Sequence, residues 1–264
     1  MLIICNGVFK SGSSWLHAIT IEILKSRNII PSEIDERYTN NIDSPTPIIE
    51  SKFWEFLVNE DYDNNYYINK SHFFKNNTIK RKYPDSVVFL FSERNIKDSI
   101  VSHFFHLKNK YSFIRNFSVY YWTIGRLKSY EIVLFNQKYK KAFNKENFIH
   151  FSDLKTDFDK SAQRIAKVLK LNPLTDDELL VIKEKTSITN MRDDIARGKT
   201  KYYSTVKKGR VKLLREGNID NYKQFFSNRK LNDISRIDKF NTSLVFKFLY
   251  YVTFRLRRNL FSIE

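Results

Sequence analysis

The chain has 264 residues, of which 42% are hydrophobic and 16% aromatic, so it is long and apolar enough to bury a sizeable core and is not a disordered protein. Its single cysteine, Cys5, excludes a disulfide framework and a cysteine-based zinc cluster, and it favours a reducing, cytoplasmic compartment. Lysine and arginine outnumber aspartate and glutamate by 46 to 29, and the net charge of +17 predicts an anionic partner without identifying it.

The hydrophobic pattern predicts a strand, a loop and a helix at the start of the chain. Residues 2–5 form a short apolar run, Asn6 and Gly7 follow it, and apolar residues recur at helical spacing from Ser13 onward. The apolar run is far too short for a signal peptide, and no stretch reaches the ~18–20 apolar residues of a membrane span. We therefore expect neither a leader nor a transmembrane segment.

Strands and helices are predicted to alternate along the rest of the chain. Apolar runs and amphipathic spacing predict strands at 66–68, 87–91 and 148–151, and helices at 98–108 and 159–171. This alternation predicts an α/β fold: a single domain over residues 1–264 with a central, mostly parallel β-sheet flanked by helices. Ligands bind at the carboxyl ends of such strands, so the loops after Cys5, Ile68 and Phe91 are expected to face one crevice.

The loop between the first strand and the first helix has the composition of an anion-binding site. Gly12 can adopt a positive φ, and the start of the following helix offers backbone N–H groups. Lys10, Ser13 and Ser14 add positive charge and hydrogen-bond donors. Taken alone, the loop is explained better as a Ser/Gly helix cap beside a surface lysine, so its function depends on the rest of the chain.

A nucleoside-triphosphate P-loop is disfavoured. Gly7 and Gly12 have the separation of the two glycines of that motif, but Ser13 stands where the motif requires a lysine. After the strand at 87–91 the chain continues Ser-Glu-Arg, without the aspartate that would hold a magnesium ion. These departures argue against a kinase or an ATPase.

Two segments resemble motifs of the sulfotransferases that use 3′-phosphoadenosine 5′-phosphosulfate (PAPS). Residues 10–16, Lys-Ser-Gly-Ser-Ser-Trp-Leu, resemble the loop that binds the 5′-phosphosulfate, and residues 94–102 are similar to the 3′-phosphate motif, with its Arg and Ser at the family separation. Similarities to further family segments follow in the family order at residues 69–72, 151–154, 185–187, 207–209 and 221–226. The chain is identified on these motifs as a member of the cytosolic-type sulfotransferase family.

The resemblance implies a set of residues that bind PAPS. They are Lys10, Ser11, Gly12, Ser13, Ser14, Trp15, Arg94, Ser102, Thr186, Lys207, Lys208, Gly209 and Phe226. Arg94 and Ser102 are expected to bind the 3′-phosphate, and residues 207–209 to close over it. The residues of the phosphate loop are expected to bind the 5′-phosphate. Three residues are expected to contact adenine: Trp15, Thr186 and Phe226. For each of these three, packing in the core is the alternative.

The resemblance also implies the catalytic residues His72, Lys10 and Lys70. In an in-line transfer, Lys10 is expected to stabilise charge on the leaving phosphate, and Lys70 to add a second positive charge near the sulfuryl oxygens. His72 is the candidate general base, because a neutral hydroxyl is a poor nucleophile and an imidazole can take its proton. The alternative for His72 is a strand-end histidine bonded to a backbone carbonyl. No metal is implied, since the loops lack an acidic pair and lysine supplies the charge.

The chain departs from the family pattern at several positions. Phe9 and Ile96 replace prolines, Phe151 stands where the family often has tyrosine, and Ile188 stands where an aromatic residue usually packs on adenine. The family's short dimerisation motif is not recognisable, so the oligomeric state is open. These departures affect the rigidity of the loops and the contacts to adenosine more than the transfer chemistry.

The sequence therefore predicts a sulfotransferase that acts on a hydroxyl group, or less readily an amine, of a small molecule such as a secondary metabolite. Variable aromatic segments at 30–65, 75–82 and 110–130 are expected to form the acceptor pocket. A basic nucleic-acid-binding protein is the alternative from another class; it explains the charge but not the ordered motifs, and no nucleic-acid partner is expected. A non-catalytic family member that binds only the nucleotide is disfavoured because both Lys10 and His72 are present.

The C-terminal segment leaves a second question open. Residues 245–261 mix aromatic side chains with Lys247, Arg255, Arg257 and Arg258, a pattern that suits either a membrane surface or a packed terminal helix. The packed helix, over about 240–264, is the favoured prediction.

Overall fold

The structure is a computed structural model that describes residues 1–39, 48–74, 78, 82–111, 113–196 and 219–261, without the side chains of 110, 195, 196 and 254–261. The strands are β1 (Leu2–Gly7), β2 (Tyr67–Ser71), β3 (Val87–Glu93) and β4 (Phe148–His150). The α-helices of these residues are α1 (Ser13–Ser26), α2 (Phe53–Asn59), α3 (Ile96–Lys110), α4 (Phe117–Tyr120), α5 (Arg126–Ala142), α6 (Phe151–Thr156), α7 (Phe158–Val168), α8 (Asp176–Lys185), α9 (Ile188–Ala196), α10 (Asn228–Asp238) and α11 (Leu244–Phe261).

The chain divides into two compact units. The first comprises Met1–Arg94 and Ala142–Gly217 and contains the sheet; the second comprises Asn95–Lys141 and Asn218–Glu264 and contains α3, α4, α10, α11 and nearly all of α5. The candidate residues of the phosphate loop, 10–15, and those at the end of β2, Lys70 and His72, lie in the first unit. The single domain over the whole chain stays a prediction.

The sheet has four strands in the order β2-β1-β3-β4, and every pair is parallel. Asn6 of β1 pairs in register with Ser71 of β2, and Gly7 pairs with Ser92 of β3. The carboxyl ends of these three strands therefore lie at one edge of the sheet. This arrangement confirms the predicted α/β class with its parallel sheet.

The strands form where apolar residues run without interruption. All six residues of β1 are buried, as expected of a central strand covered on both faces. On one face, Ile3 and Cys5 join a core with apolar residues of α1, α7 and α8, among them Ile19, Ile165 and Ile182. Burial of such a core is the main stabilising contribution to this unit and holds β1 and α1 rigidly on either side of the phosphate loop.

The prediction was wrong at the end of β4. Residue 151 was expected to close the strand, but β4 ends at His150 and Phe151 is the first residue of α6. The physical reason is that β4 pairs with β3 over only three residues, as far as Glu93, while the Phe151 ring packs against the phosphate loop. Elsewhere the differences are small, since β1 and β3 each extend two residues beyond their predicted ends.

The second unit has a smaller core built on α5. Tyr130 and Val133 of α5 pack with Ile237 of α10 and with Phe246 and Tyr250 of α11. A bidentate ion pair, in which Arg126 Nε and Nη2 each lie 2.8 Å from an Asp233 carboxylate oxygen, also joins α5 to α10.

Candidate functional site

The phosphate loop turns sharply before α1. Lys10 has φ 69° and Gly12 has φ 105°, both in the left-handed region, and the Ser11 N–H donates to the Val8 carbonyl at 3.1 Å. A loop of this kind turns successive backbone N–H groups toward one point. The first N–H groups of α1, at Ser13 and Ser14, add to them because they precede the helix's own hydrogen bonds. The geometry suits a phosphate at the positive end of the helix dipole.

A buried contact fixes the loop to the end of β3. The Ser11 and Ser92 hydroxyl oxygens lie 2.6 Å apart and form a buried hydrogen bond. Gly7 makes room for it, since a Cβ at this position would lie 2.2 Å from Ser92 Oγ and 2.5 Å from Ser11 Oγ. A side chain at position 7 would therefore push the loop away from the sheet.

Phe151 connects the phosphate loop to the predicted 3′-phosphate arginine. A Cβ at Gly12 would lie 2.7 Å from Phe151 Cδ2, so the ring fills the space beneath the loop. The ring centroid lies 5.4 Å from that of Trp15, edge to face. The Arg94 guanidinium carbon lies 4.3 Å from the Phe151 ring centroid, a cation–π distance. Phe151 thus supports two expected anion-binding elements at once, where the family's tyrosine would add a hydroxyl.

The residues that follow β2 meet the phosphate loop. His72 lies one residue beyond β2, is exposed, and its Nδ1 is 2.5 Å from the Gly7 carbonyl oxygen. A carbonyl only accepts, so Nδ1 donates the proton and the Nε2 atom carries the lone pair of the neutral ring. The Phe9 ring packs edge-on to the imidazole with centroids 6.0 Å apart. The predicted alternative, a strand-end histidine bonded to a backbone carbonyl, thus describes what Nδ1 does. It leaves Nε2 available as a base.

Asn6 holds the segment that carries His72, and sequence reasoning did not identify it. Its fully buried amide accepts from the Phe73 N–H at 3.0 Å and donates to the Phe73 carbonyl at 3.3 Å. The Ser71 hydroxyl also donates to the Asn6 amide oxygen at 3.3 Å. These bonds fix the backbone on both sides of His72. The one signal for Asn6 in the sequence is a polar residue directly after the apolar run 2–5, at a position that proves to lie inside the buried strand β1.

Lys70 approaches the start of α1 from β2. Its Nζ donates to the Ser14 hydroxyl at 3.3 Å. Burial lowers its pKa below the ordinary value for lysine, because the charged form has lost water. Within the described ranges no carboxylate pairs with this ammonium group. A half-buried cation placed in this way favours an anion at the mouth of the phosphate loop.

The remaining predicted residues fall into three groups. Thr186 is buried at the end of α8, and its carbonyl accepts from the Trp15 indole N–H at 2.9 Å, which brings two adenine candidates together. Ser102 lies on α3, in the second unit. Phe226 belongs to the same unit and is buried against Phe117, with ring centroids 5.3 Å apart. Residues 207–209, Lys207, Lys208 and Gly209, lie outside the described residues. The binding roles of all of them stay predictions.

A family comparison decides between the classes that the sequence left open. A model of the sulfotransferase domain matches residues 2–245 of the chain. The chain belongs to the sulfotransferase family. The resemblance identified from the motifs is therefore confirmed.

Solved structures share the fold of this sulfotransferase. One is a mouse sulfotransferase, SULT7A1, complexed with PAP (adenosine 3′,5′-bisphosphate). It is 18% identical in sequence, with a TM-score of 0.65, and the match covers 92% of this chain and 86% of that one. Two structures of retinol dehydratase, one with androsterone and inactive cofactor PAP and one with retinol and PAP, are each 14% identical over 91% of this chain and 80% of theirs, with TM-scores of 0.58 and 0.57. No curated protein sequence matches the chain significantly.

Among the described residues of the sulfotransferase, no group of three or more His, Cys, Asp or Glu side chains could hold a metal ion. No helix in the part of the chain that the structure describes is both long and apolar enough to cross a membrane.

A buried histidine beneath the site should make the sulfotransferase sensitive to acid. His17 of α1 is 7% exposed, and burial, with a smaller contribution from the charge of Lys70, lowers its pKa from 6.5 to about 3. Between these two values the unfolded chain binds a proton that the folded protein does not, so stability falls as the pH falls below about 6.5. Between these two pKa values the free energy of unfolding falls by about 1.4 kcal/mol for each pH unit.

We therefore expect the free energy of unfolding to fall between pH 6 and pH 4 by about 2 kcal/mol more in the wild type than in His17→Gln. Urea unfolding followed by circular dichroism at pH 4, 5, 6 and 7 measures the difference. The comparison is internal, since the free energy of unfolding of each protein is referred to its own value at pH 7. Parallel pH profiles for wild type and His17→Gln would contradict the prediction.

Proposed function

We propose that the protein transfers the sulfuryl group of PAPS to a hydroxyl, or less readily an amine, of a small-molecule acceptor such as a secondary metabolite. The observation that carries the proposal is the hydrogen bond from His72 Nδ1 to the Gly7 carbonyl, which attaches a candidate base to the start of the phosphate loop. Two motifs far apart in the sequence thus meet at the carboxyl edge of the sheet.

The residues of the loop fit the phosphosulfate end of PAPS. The first N–H groups of α1 and the left-handed backbone at Gly12 would bind the 5′-phosphate, and Lys10 and Lys70 would neutralise its charge. The half-buried Lys70 supports this fit, since an anion there would give a partner to a partly desolvated cation. When bound, PAPS supplies an activated sulfuryl group and a phosphate leaving group.

His72 is suited to take a proton from the acceptor. The Gly7 carbonyl holds the imidazole in the tautomer with its proton on Nδ1, so Nε2 is the basic atom. Asn6 and the Phe9 ring restrict the position and the plane of the imidazole, which limits the orientations that a bound hydroxyl must match. The proton leaves the hydroxyl as its oxygen becomes the nucleophile.

Lys10 would stabilise the charge that develops on the leaving phosphate. It lies in the turn between Ser11 and Phe9, with its Nζ 5.8 Å from the Phe9 ring centroid. A fixed cation near a developing negative charge lowers the barrier without reorganisation at the moment of reaction. Lys10 and His72 both adjoin Phe9, so the expected stabilising cation and the expected base lie near one aromatic ring.

A small acceptor with an apolar part fits these surroundings. The Phe9 ring adjoins His72, and Phe73, the next residue along the chain, is fully buried against Phe53 with ring centroids 4.8 Å apart. The solved retinol dehydratase complexes hold androsterone and retinol, which are apolar small alcohols. Parts of the predicted acceptor segments, including 40–47 and 79–81, lie outside the described residues.

Arg94 provides the test of nucleotide binding. Arg94→Ala should weaken binding of adenosine 3′,5′-bisphosphate at least about a hundredfold, because charge-assisted hydrogen bonds to the 3′-phosphate are lost. Binding of adenosine 5′-phosphosulfate, which lacks that phosphate, should hardly change. Isothermal titration measures both affinities, and Lys167→Ala, which removes an exposed cation of the same unit, is the control.

Two results would overturn the proposal for this site. Equal losses for both nucleotides in Arg94→Ala would place Arg94 away from the 3′-phosphate. A thermal shift with a short duplex DNA, and none with adenosine 3′,5′-bisphosphate, would favour the nucleic-acid-binding alternative.

A further inference from the structure

The C-terminal helix α11 has two different faces. Phe246 and Tyr250 are 7% and 6% exposed and pack on Tyr130, with ring centroids 5.6 and 4.9 Å away. The Arg126 guanidinium also lies 4.7 Å from the Phe246 ring centroid. The inner face therefore fixes how the helix is rotated, and the prediction of a packed terminal helix is correct for this face only.

The outer face carries large apolar side chains in water. Its exposed residues are Leu244 (81%), Val245 (68%), Phe248 (65%), Leu249 (50%) and Tyr251 (57%). Positions 244, 248 and 251 follow helical spacing, so these residues form a continuous row opposite Phe246 and Tyr250. Single exposed apolar residues are ordinary, but a contiguous patch marks a surface that another body covers.

The charge of the helix indicates what covers it. The sequence of α11 contains Lys247, Arg255, Arg257 and Arg258 and no acidic residue, and the whole chain carries a net charge of +17. A second copy of the chain would bring like charges together at this face. A nucleic acid would meet the charge but would leave the leucines and phenylalanine without apolar partners. An anionic lipid surface offers both negative headgroups and acyl chains.

We propose that the outer face of α11 binds the protein to anionic membrane surfaces. The helix would lie in the plane of the interface, with the row from Leu244 to Tyr251 inserted among the acyl chains and Lys247, at the edge of that row, at the headgroups, while the positive charge of the segment attracts anionic lipid. This interaction is separate from sulfuryl transfer and does not require it.

Vesicle co-sedimentation of the full chain tests the proposal. The protein should bind phosphatidylcholine vesicles that contain about 30% phosphatidylserine at least tenfold more tightly than pure phosphatidylcholine vesicles, and salt should weaken the binding. The double variant Phe248→Ser/Leu249→Ser should reduce this affinity about tenfold, because two apolar side chains no longer insert. The matched control is Leu180→Ser/Val181→Ser, which replaces an adjacent pair on α8 that is 66% and 44% exposed and should bind like the wild type.

A second variant separates membrane binding from a folding defect. Arg255→Gln/Arg258→Gln, at positions that follow Tyr251 at helical spacing, leaves the apolar row intact and should weaken binding to the anionic vesicles at least about fivefold, with an unchanged circular dichroism spectrum. No binding by the wild type, or equal loss in the α8 control, would overturn the proposal. A dimer seen in sedimentation velocity that Phe248→Ser/Leu249→Ser abolishes would also overturn it, since a second copy would then cover the face.

Discussion

Replacing Lys10 by alanine should lower kcat by at least about a hundredfold, because the cation that stabilises charge on the leaving phosphate is lost. The backbone turn around Lys10 is held by Ser11, which bonds to Ser92, so the loop should keep its shape in the variant. The measurement is the rate of conversion of PAPS to PAP, with an acceptor chosen from a screen of hydroxyl-bearing small molecules. Lys25→Ala removes an exposed lysine from α1 and is the control, for which we expect a rate close to that of the wild type.

The outcome depends on how the loss divides between kcat and nucleotide affinity. A charge that acts mainly in the transition state lowers kcat, whereas one that acts equally on bound substrate changes only KM. An unchanged kcat with weaker nucleotide binding would remove Lys10 from the catalytic assignment and leave it a binding residue.

Replacing His72 by alanine should lower kcat by roughly 10²–10⁴-fold, because the acceptor hydroxyl loses its proton acceptor. In the wild type the rate should fall as the pH drops through about 6–7, where an imidazole becomes protonated and can no longer act as a base. The variant should lack this part of the pH profile. Binding of adenosine 3′,5′-bisphosphate should stay near that of the wild type, because the expected phosphate-binding groups are Lys10, Arg94 and the first N–H groups of α1, which the substitution leaves in place.

A second substitution separates catalysis from packing at this position. His72→Asn offers an amide N–H to the Gly7 carbonyl but has no basic nitrogen, so it should be as inactive as His72→Ala and at least as stable. If His72 only packs the strand end, the alanine variant should instead lose stability and nucleotide binding together. A well-folded His72→Ala protein with near-normal turnover would end the general-base assignment.

Much of the sheet could be predicted because its signals are local. The run from Leu2 onward is buried along the whole of β1, and the helix predicted from Ser13 begins at that residue. Apolar runs and helical spacing report the burial of neighbouring residues, which the sequence displays directly. The prediction failed at Phe151, because its place in α6 depends on how β4 ends against β3 and on the loop that the ring supports.

The sequence also determined the family, since the motifs at 10–16 and 94–102 occur in the family order and Arg94 and Ser102 keep the family separation. What it could not determine are the contacts that turn these motifs into a site. The hydrogen bond between Ser11 and Ser92 joins residues 81 positions apart, and that between His72 and Gly7 joins residues 65 apart.

Only the tertiary structure decided these contacts, because they depend on the register of three parallel strands, and a shift of one residue would move every side chain to the opposite face. The same holds for the two faces of α11. Sequence alone showed that the segment was apolar and basic, but which of its apolar residues lie inside is set by the packing of Phe246 and Tyr250 on Tyr130. Periodicity defines the faces of a helix, and only its neighbours determine which face is covered.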